Sequence, residues 1–297
     1  MTRAVPGRRL VLAYHGVGWR EPEADPHNLF VPAHALRAQL TRLLRQGWRP
    51  LSLADYLDGR PGGRAFLVTF DDGYRSVVDV AMPLLADLGV PAVVFVCAGL
   101  LGGSSRWMAD MPDEPLVTAE EVRELRSGGI EVCPHGLDHR PLAGLAAGEL
   151  LHQTAGAANL LAAVTGTYPR AFAYPYGSHD AAARAAVARA GMQVGFATHA
   201  AAGQLAVPRI DVNATDTDLT FRLKTRRGYR SLRTAAGLVP GLRVLVSDGS
   251  PVPPIARHPA PTDLSGRGML IIDALASRWG VDPELDGKTV WFELDQA

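Results

Sequence analysis

Ala65-Phe66-Leu67-Val68-Thr69-Phe70 runs without a break into Asp71-Asp72-Gly73-Tyr74. Six apolar or β-branched residues in a row, with no alternation of polar ones, read as a strand covered on both faces, and such strands belong to parallel sheets packed under helices. Two adjacent carboxylates then stand where the strand ends. In α/β architectures ligand sites gather at the carboxyl ends of parallel strands. This stretch therefore sets the fold class and marks where chemistry is to be sought.

Working outward, the same kind of run recurs in LVLAY (10–14), AVVFVCA (92–98), IEVCP (130–134) and AFAYP (171–175). Between the runs, AHALRAQLTRLLRQG (33–47), SVVDVAMPLLADLG (76–89), TAEEVRELRSGG (118–129) and AAGELLHQTAGAANLLAAVTG (146–166) carry apolar residues at helical spacing. Several of these segments end in glycine, and Thr118 with Glu121 three residues on makes a capping-box pattern. The alternation implies an α/β barrel or a doubly wound sheet.

After about residue 225 the pattern changes. A basic, turn-rich stretch TRRGYRSLRT (225–234) leads to a strand LRVLVSD (242–248), a proline-rich loop (250–263), a helix GMLIIDALASRWG (268–280) and a strand KTVWFEL (288–294). The expected division is residues 1–225, a linker at 226–240, and a small α/β appendage at 241–297.

Composition narrows the function classes. The 297 residues hold 30 basic and 30 acidic side chains, so no net field draws the chain toward nucleic acid. Lys224 and Lys288 are the only lysines, an arginine bias that reads as genome composition. No apolar run is long enough to span a membrane, and the apolar run near the N-terminus is too short for a secretory signal. A cytoplasmic protein is the expectation, and Cys97 and Cys133, in apolar runs, read as buried free thiols.

Chemistry-bearing residues follow three of these runs, 65–70, 130–134 and 171–175. Asp71 and Asp72 point in different directions, so one can bind a metal while its neighbour stays free as a base. His135 and His139 can converge on one ion where the chain turns, and with one carboxylate they leave a coordination position for water. Tyr174-Pro175-Tyr176-Gly177 suggests a fixed turn that aims an N–H at an oxyanion. Alone, each has a plainer reading: a turn or helix cap, a chance histidine pair, a loop. Together, at the ends of three such strands, they point to one site.

These residues carry a family resemblance. From about Val11 to Asp211 the chain resembles the polysaccharide deacetylases, hydrolases that remove N-acetyl groups from amino sugars on a distorted (β/α) barrel. The matching motifs are LAYHGV (12–17), TFDDGY (69–74), LGVPAVVFV (88–96), His135-x-x-x-His139, FAYPYG (172–177) and VPRIDV (207–212). The resemblance implies that Asp72, His135 and His139 bind one divalent metal, most often zinc. It further implies that Asp71 is the general base and that the Tyr176 N–H helps hold the oxyanion. The implied partner is an N-acetylated glycan or a glycan precursor, which for a cytoplasmic protein would be a cytoplasmic or membrane-associated precursor.

Two departures qualify the match. Many members have an arginine in the third motif that orients the base, where this chain has Ala173; many also have a leucine–x–histidine motif supplying an acid, where this chain has Val207-Pro208-Arg209-Ile210-Asp211. Arg209 is expected to replace the missing arginine in orienting Asp71. The acid is left unassigned: His15, at the end of the first strand, is a candidate to line the pocket, and His179 and His199 are weaker candidates for the proton. Trp107 reads as a sugar-stacking ring or a packed loop anchor. The same departures sustain an alternative, a catalytically weakened glycan-binding or regulatory protein.

Residues 241–294 resemble the last part of the histidine-kinase-like ATPase fold, through VSDGSPVPP (246–254), GRGMLIIDALASRWGV (266–281) and GKTVWFEL (287–294). That likeness implies adenine contact at Asp248 and a phosphate loop at Gly266–Gly268. The magnesium-holding helix of that fold is missing, which leaves three readings open: a nucleotide site, a surface for self-association, or a fused remnant.

Overall fold

The computed structural model describes residues 8–59, 63–198, 201–226, 242–248, 278–284 and 287–294. Two compact units divide between Thr215 and Asp216.

In the first unit, β1 (Arg8–Tyr14) is followed by a short parallel pair, β2 (Gly16–Val17) and β3 (Phe30–Val31). Then come α1 (Ala33–Arg45), β4 (Arg49–Pro50), α2 (Leu53–Leu57) and β5 (Arg64–Phe70). Next are α3 (Met82–Leu88), β6 (Ala92–Val96), α4 (Ala119–Ser127), β7 (Glu131–Pro134), α5 (Ala147–Leu151) and α6 (Ala157–Thr165). The unit closes with β8 (Ala171–Ala173), α7 (Ala181–Arg189), β9 (Val194–Ala197), β10 (Val207–Pro208) and β11 (Ile210–Asp211).

The pairings between these strands are parallel, in the orders β11-β1-β5-β6-β7, with β4 also on β5, and β10-β9-β8. The two sheets meet at Arg209: Val207–Pro208 pair with β9, Ile210–Asp211 pair with β1, and the Arg209 N–H donates to Ala197 O at 3.1 Å. Between β7 and β8 no ladder forms among the described residues, so this α/β barrel has one open seam.

A strand's side chains alternate between two faces, which assigns an inside and an outside. Val11, Leu67, Val93, Phe95, Cys133, Ala171, Ala173, Val194 and Phe196 form one buried cluster drawn from six strands. Phe95 and Phe196 meet edge to face with centroids 5.7 Å apart, so opposite strands share this interior. The alternate residues Phe172, Tyr174 and Ala197 face out under α7 and pack with Ala183 and Val187. Each fully buried Val, Leu or Phe contributes about 1.5–3 kcal/mol, so a charge on either face of β5 would be strongly disfavoured until the strand ends.

The helices form where expected, with local adjustments. Leu36, Leu40 and Leu43 bury one face of α1, and Thr118 and Glu121 form the capping box that starts α4. The segment 76–89 opens with a wide π turn at Val77–Ala81 before α3, and a second π turn, His152–Gly156, joins α5 to α6. None of the described helices is long and apolar enough to cross a membrane.

The second unit contains α8 (Asp218–Lys224), capped by Thr217, and an antiparallel sheet of β12 (Leu242–Asp248), β13 (Arg278–Glu284) and β14 (Gly287–Leu294) in the order β12-β14-β13. Residues 278–280, expected to end a helix, lie in β13 instead. Gly280 passes close to the Trp291 ring, where a Cβ would come within 2.6 Å, and Trp291 Nε1 donates to Asp282 Oδ1 at 3.1 Å. Cross-strand packing therefore overrides the helical periodicity there. The rest of that helix, the glycine-rich loop at 266–268, the proline-rich loop and most of the expected linker lie outside the described residues.

Candidate active site

The inward faces of β1, β5 and β7 carry the site. Val11 pairs with Leu67 and Ala13 with Thr69, both pairs facing the interior. One step further, the same alternation brings His15 and Asp71 to the barrel mouth, and on β7 it leads from Cys133 to His135. The Asp71 N–H donates to Tyr14 O at 2.9 Å, fixing the height at which the carboxylate leaves the strand.

The two aspartates part at a strained turn. Asp72 has φ 69°, and the Gly73 N–H reaches back to Asp71 O at 2.8 Å. A three-residue turn with its centre at positive φ is costly for a non-glycine residue and persists where its surroundings enforce it. Gly73, at φ 77°, lies so near Val96 that a Cβ would meet its side chain at 2.9 Å. The turn directs Asp71 inward and Asp72 toward the loop after β7.

Asp71 meets Arg209. The guanidinium donates to Oδ1 at 2.6 Å and to Oδ2 at 2.5 Å, a bidentate pair buried on both sides, and reaches Thr69 Oγ1 at 3.1 Å. It stands over the Phe95 and Phe196 rings at 5.7 and 6.0 Å, filling the top of the barrel. Burial alone would push the Asp71 carboxyl up, but the Arg209 charge, with His135 adding to it, holds it below the usual carboxylate range. Asp71 is thus an anion at neutral pH.

Asp72 meets the histidines. Nε2 of His135 and of His139 lie 3.4 and 3.1 Å from Asp72 Oδ1, and ligand atoms of all three residues fall within 4.8 Å of one another. Asp72 Oδ1 is buried yet has no hydrogen-bond partner among the described residues. One carboxylate oxygen and two imidazole nitrogens that converge at these distances are a donor set for a divalent cation. The His135 Nδ1 lies 2.8 Å from Ala173 O across the open seam, a bond that fixes the tautomer leaving Nε2 as the ligand atom.

The His135–His139 segment is a turn rather than a helix: Gly136 has φ 78° and His139 has φ 63°. The His139 ring lies flat against Trp107, centroids 4.5 Å apart, with Tyr176 edge-on at 4.5 Å. Trp107 is therefore a packing partner of a candidate ligand, the loop-anchor reading of the two. Burial pushes both imidazoles toward neutrality. For His135 the charges of Asp71 and Asp72 outweigh it and raise the pKa; for His139 burial prevails and lowers it. The Cys97 thiol, driven up by burial, stays protonated with its Sγ 3.7 Å from His135 O, and both cysteines are free.

Asp71, Asp72, His135, His139 and Arg209 thus come together at one mouth, and Tyr176 borders it at φ 57° with an exposed ring. His15 follows β1 at the level where Asp71 follows β5, since Tyr14 and Phe70 are the last residues paired in register. His179 does not: it packs on Tyr174 and lies 2.9 Å from the Arg184 guanidinium. His199 lies outside the described residues. Sequence reasoning passed over Gln153, a buried residue whose side chain bonds the His135–His139 turn; the only signal was a polar residue at a helical position otherwise apolar.

Residues 58–195 match the polysaccharide deacetylase family, so the chain carries a polysaccharide deacetylase domain, that of a family of carbohydrate-deacetylating hydrolases. It is 25% identical to the YxkH protein of Bacillus subtilis (strain 168) over 218 residues, 70% of this chain and 72% of that one. Over 137 residues, 42% of this chain, it is 28% identical to the poly-β-1,6-N-acetyl-D-glucosamine N-deacetylase of Escherichia coli (strain K12), of whose length it spans 20%. In fold it resembles the Streptococcus pyogenes deacetylase PplD solved in complex with acetate: TM-score 0.65, 21% identity, covering 75% of this chain and 100% of that one. The expected likeness of residues 241–294 to a histidine-kinase-like ATPase, and self-association through them, find no support in these matches.

Proposed function

We propose that this protein is a metal-dependent hydrolase that removes N-acetyl groups from amino sugars of a polysaccharide, oligosaccharide or glycan precursor, with zinc at Asp72, His135 and His139. The observation that carries the reading is the side-by-side placement of two unlike acids, one held anionic by Arg209 and the other in a three-donor cluster. The similarity to an N-acetylglucosamine polymer deacetylase supports the substrate class.

A divalent cation at the cluster would lower the pKa of a water and polarise the acetamide carbonyl. Asp71 accepts the proton of that water as its oxygen bonds to the carbonyl carbon. The Tyr176 N–H donates to the oxygen that becomes negative. As the C–N bond breaks, the amine nitrogen takes a proton and acetate leaves; His15, beside Asp71 at the mouth, is the donor this reading assigns. Arg209 keeps Asp71 aimed and ionised, and its place at the barrel's closing edge supplies what residue 173 lacks, which favours catalysis over the non-catalytic alternative.

The test is acetate release from N-acetylglucosamine oligomers. Release should vanish on chelation and return with zinc, and His15→Ala should lower kcat by about 10²–10⁴-fold while zinc uptake persists. Oligomer binding with no acetate release under zinc-replete conditions would defeat the proposal.

A further inference from the structure

Both candidate histidine ligands sit on one turn, and a side chain from a different part of the fold holds that turn. We propose that Gln153 is the positioning residue of the His135–His139 turn and sets the affinity of the Asp72–His135–His139 cluster for a divalent cation. The inference rests on the metal-centre reading above.

Gln153 is only 2% exposed, and its amide bonds to the turn at both ends. Its Oε1 accepts from the Leu137 N–H at 2.8 Å, and its Nε2 donates to Asp138 Oδ1 at 2.6 Å. Residues 137 and 138 are two of the three between the histidines, so these bonds grip the turn between its ligands. The fit is close: a Cβ on Gly136, at φ 78°, would come within 2.9 Å of Gln153 Oε1 and displace the amide.

The helix is adapted to make this reach. Gln153 lies in the π turn His152–Gly156, where Thr154 Oγ1 donates to Leu150 O at 2.7 Å. A π turn admits one extra residue and is found often at functional sites. Here it turns a buried amide toward the cluster.

The amide is chemically specific for the task. One side chain must accept from a backbone N–H and donate to a carboxylate at once, and a primary amide carries an acceptor oxygen and a donor NH2 for the two tasks. Leucine would strand the Leu137 N–H, and glutamate would set a carboxylate against Asp138. Ligand orientation is governed by such outer hydrogen bonds, whose loss typically costs about 10–100-fold in metal affinity.

The experiment measures zinc affinity of the full chain by competition with a chromogenic chelator, alongside the melting temperature of the metal-free protein. Gln153→Leu should weaken zinc binding by about 10–100-fold. Gln153→Glu should weaken it too, whereas Gln153→Glu combined with Asp138→Asn, which exchanges carboxylate and amide so that both bonds can form, should return to within about threefold of wild type. Unchanged affinity in Gln153→Leu, with only a lower melting temperature, would reduce Gln153 to a structural role and overturn the inference. A double variant no tighter than Gln153→Glu would overturn it as well. If the wild-type chain takes up no zinc, the metal-centre reading itself fails, and this inference with it.

Discussion

Asp71 and Asp72 are neighbours in the chain and opposites in environment. Asp71 is buried with both oxygens taken by the Arg209 guanidinium; Asp72, one residue on, faces two imidazoles and keeps a buried oxygen without a hydrogen bond among the described residues. A fixed positive partner makes the first an anion whose charge is already balanced. The second has donors around it and a charge to share. Burial penalises both, so what separates base from ligand is the identity of the partner, and a single left-handed residue gives each its own.

The largest effect should come from breaking the second half. Asp72→Asn should abolish both turnover and zinc uptake, losing more than the about 10–100-fold that an outer hydrogen bond is worth, as read by chelator competition. Asp71→Asn should instead cut kcat by about 10²–10⁴-fold while zinc affinity stays within a few-fold. If both substitutions hit zinc binding equally, the two acids do not divide their labour.

Removing the fixed cation breaks the first half. Arg209→Ala leaves an unpaired buried carboxylate and should cost about 3–5 kcal/mol of stability in denaturant unfolding, with kcat falling as Asp71 loses its aim. The pair also has a pH signature. Because the folded pKa of Asp71 is depressed, its stabilisation is present above the unfolded value near 3.8 and is lost as pH falls through the folded one. Full stability through pH 3 in wild type, or no loss of acid resistance in Arg209→Ala, would refute this.

His135 sharpens the contrast with the opposite sign. Its raised pKa stabilises the metal-free protein below 6.5, and that contribution fades as pH rises through the folded value. A cation must displace the proton, so zinc affinity should climb between pH 6 and 8; a flat profile would mean that His135 is not a ligand. The smallest effect should be Thr69→Val, which removes the bond from Arg209 and the 2.8 Å bond to Leu12 O. It should cost about 1–2 kcal/mol and leave zinc affinity unchanged.

Much of this was legible along the chain, unevenly. Strands such as 65–70 were readable because a doubly buried strand has to be continuously apolar. The helix expected at 146–166 reads as one periodic segment, and periodicity does not reveal the π turn that brings in Gln153. Residues 181–197 escaped notice because α7 is mostly alanine and β9 is four residues long, too little contrast for a periodic pattern. At 278–280, helical spacing lost to a cross-strand contact with Trp291.

The sequence by itself determined the strands, the order in which Asp71, Asp72, His135, His139 and Tyr176 follow them, and the chemical kinds on offer. Those are local properties: burial sets strand composition, and acids and histidines tolerate only the ends. Only the tertiary structure decided the partnerships. Arg209 lies 138 residues from Asp71 along the chain and reaches it because β10 and β11 switch sheets at that point. His15 follows β1 where Asp71 follows β5 because those strands pair in register, and one positive φ sends two adjacent carboxylates to different charges. Contacts between residues distant along the chain depend on strand register and barrel closure, which no stretch of sequence carries on its own.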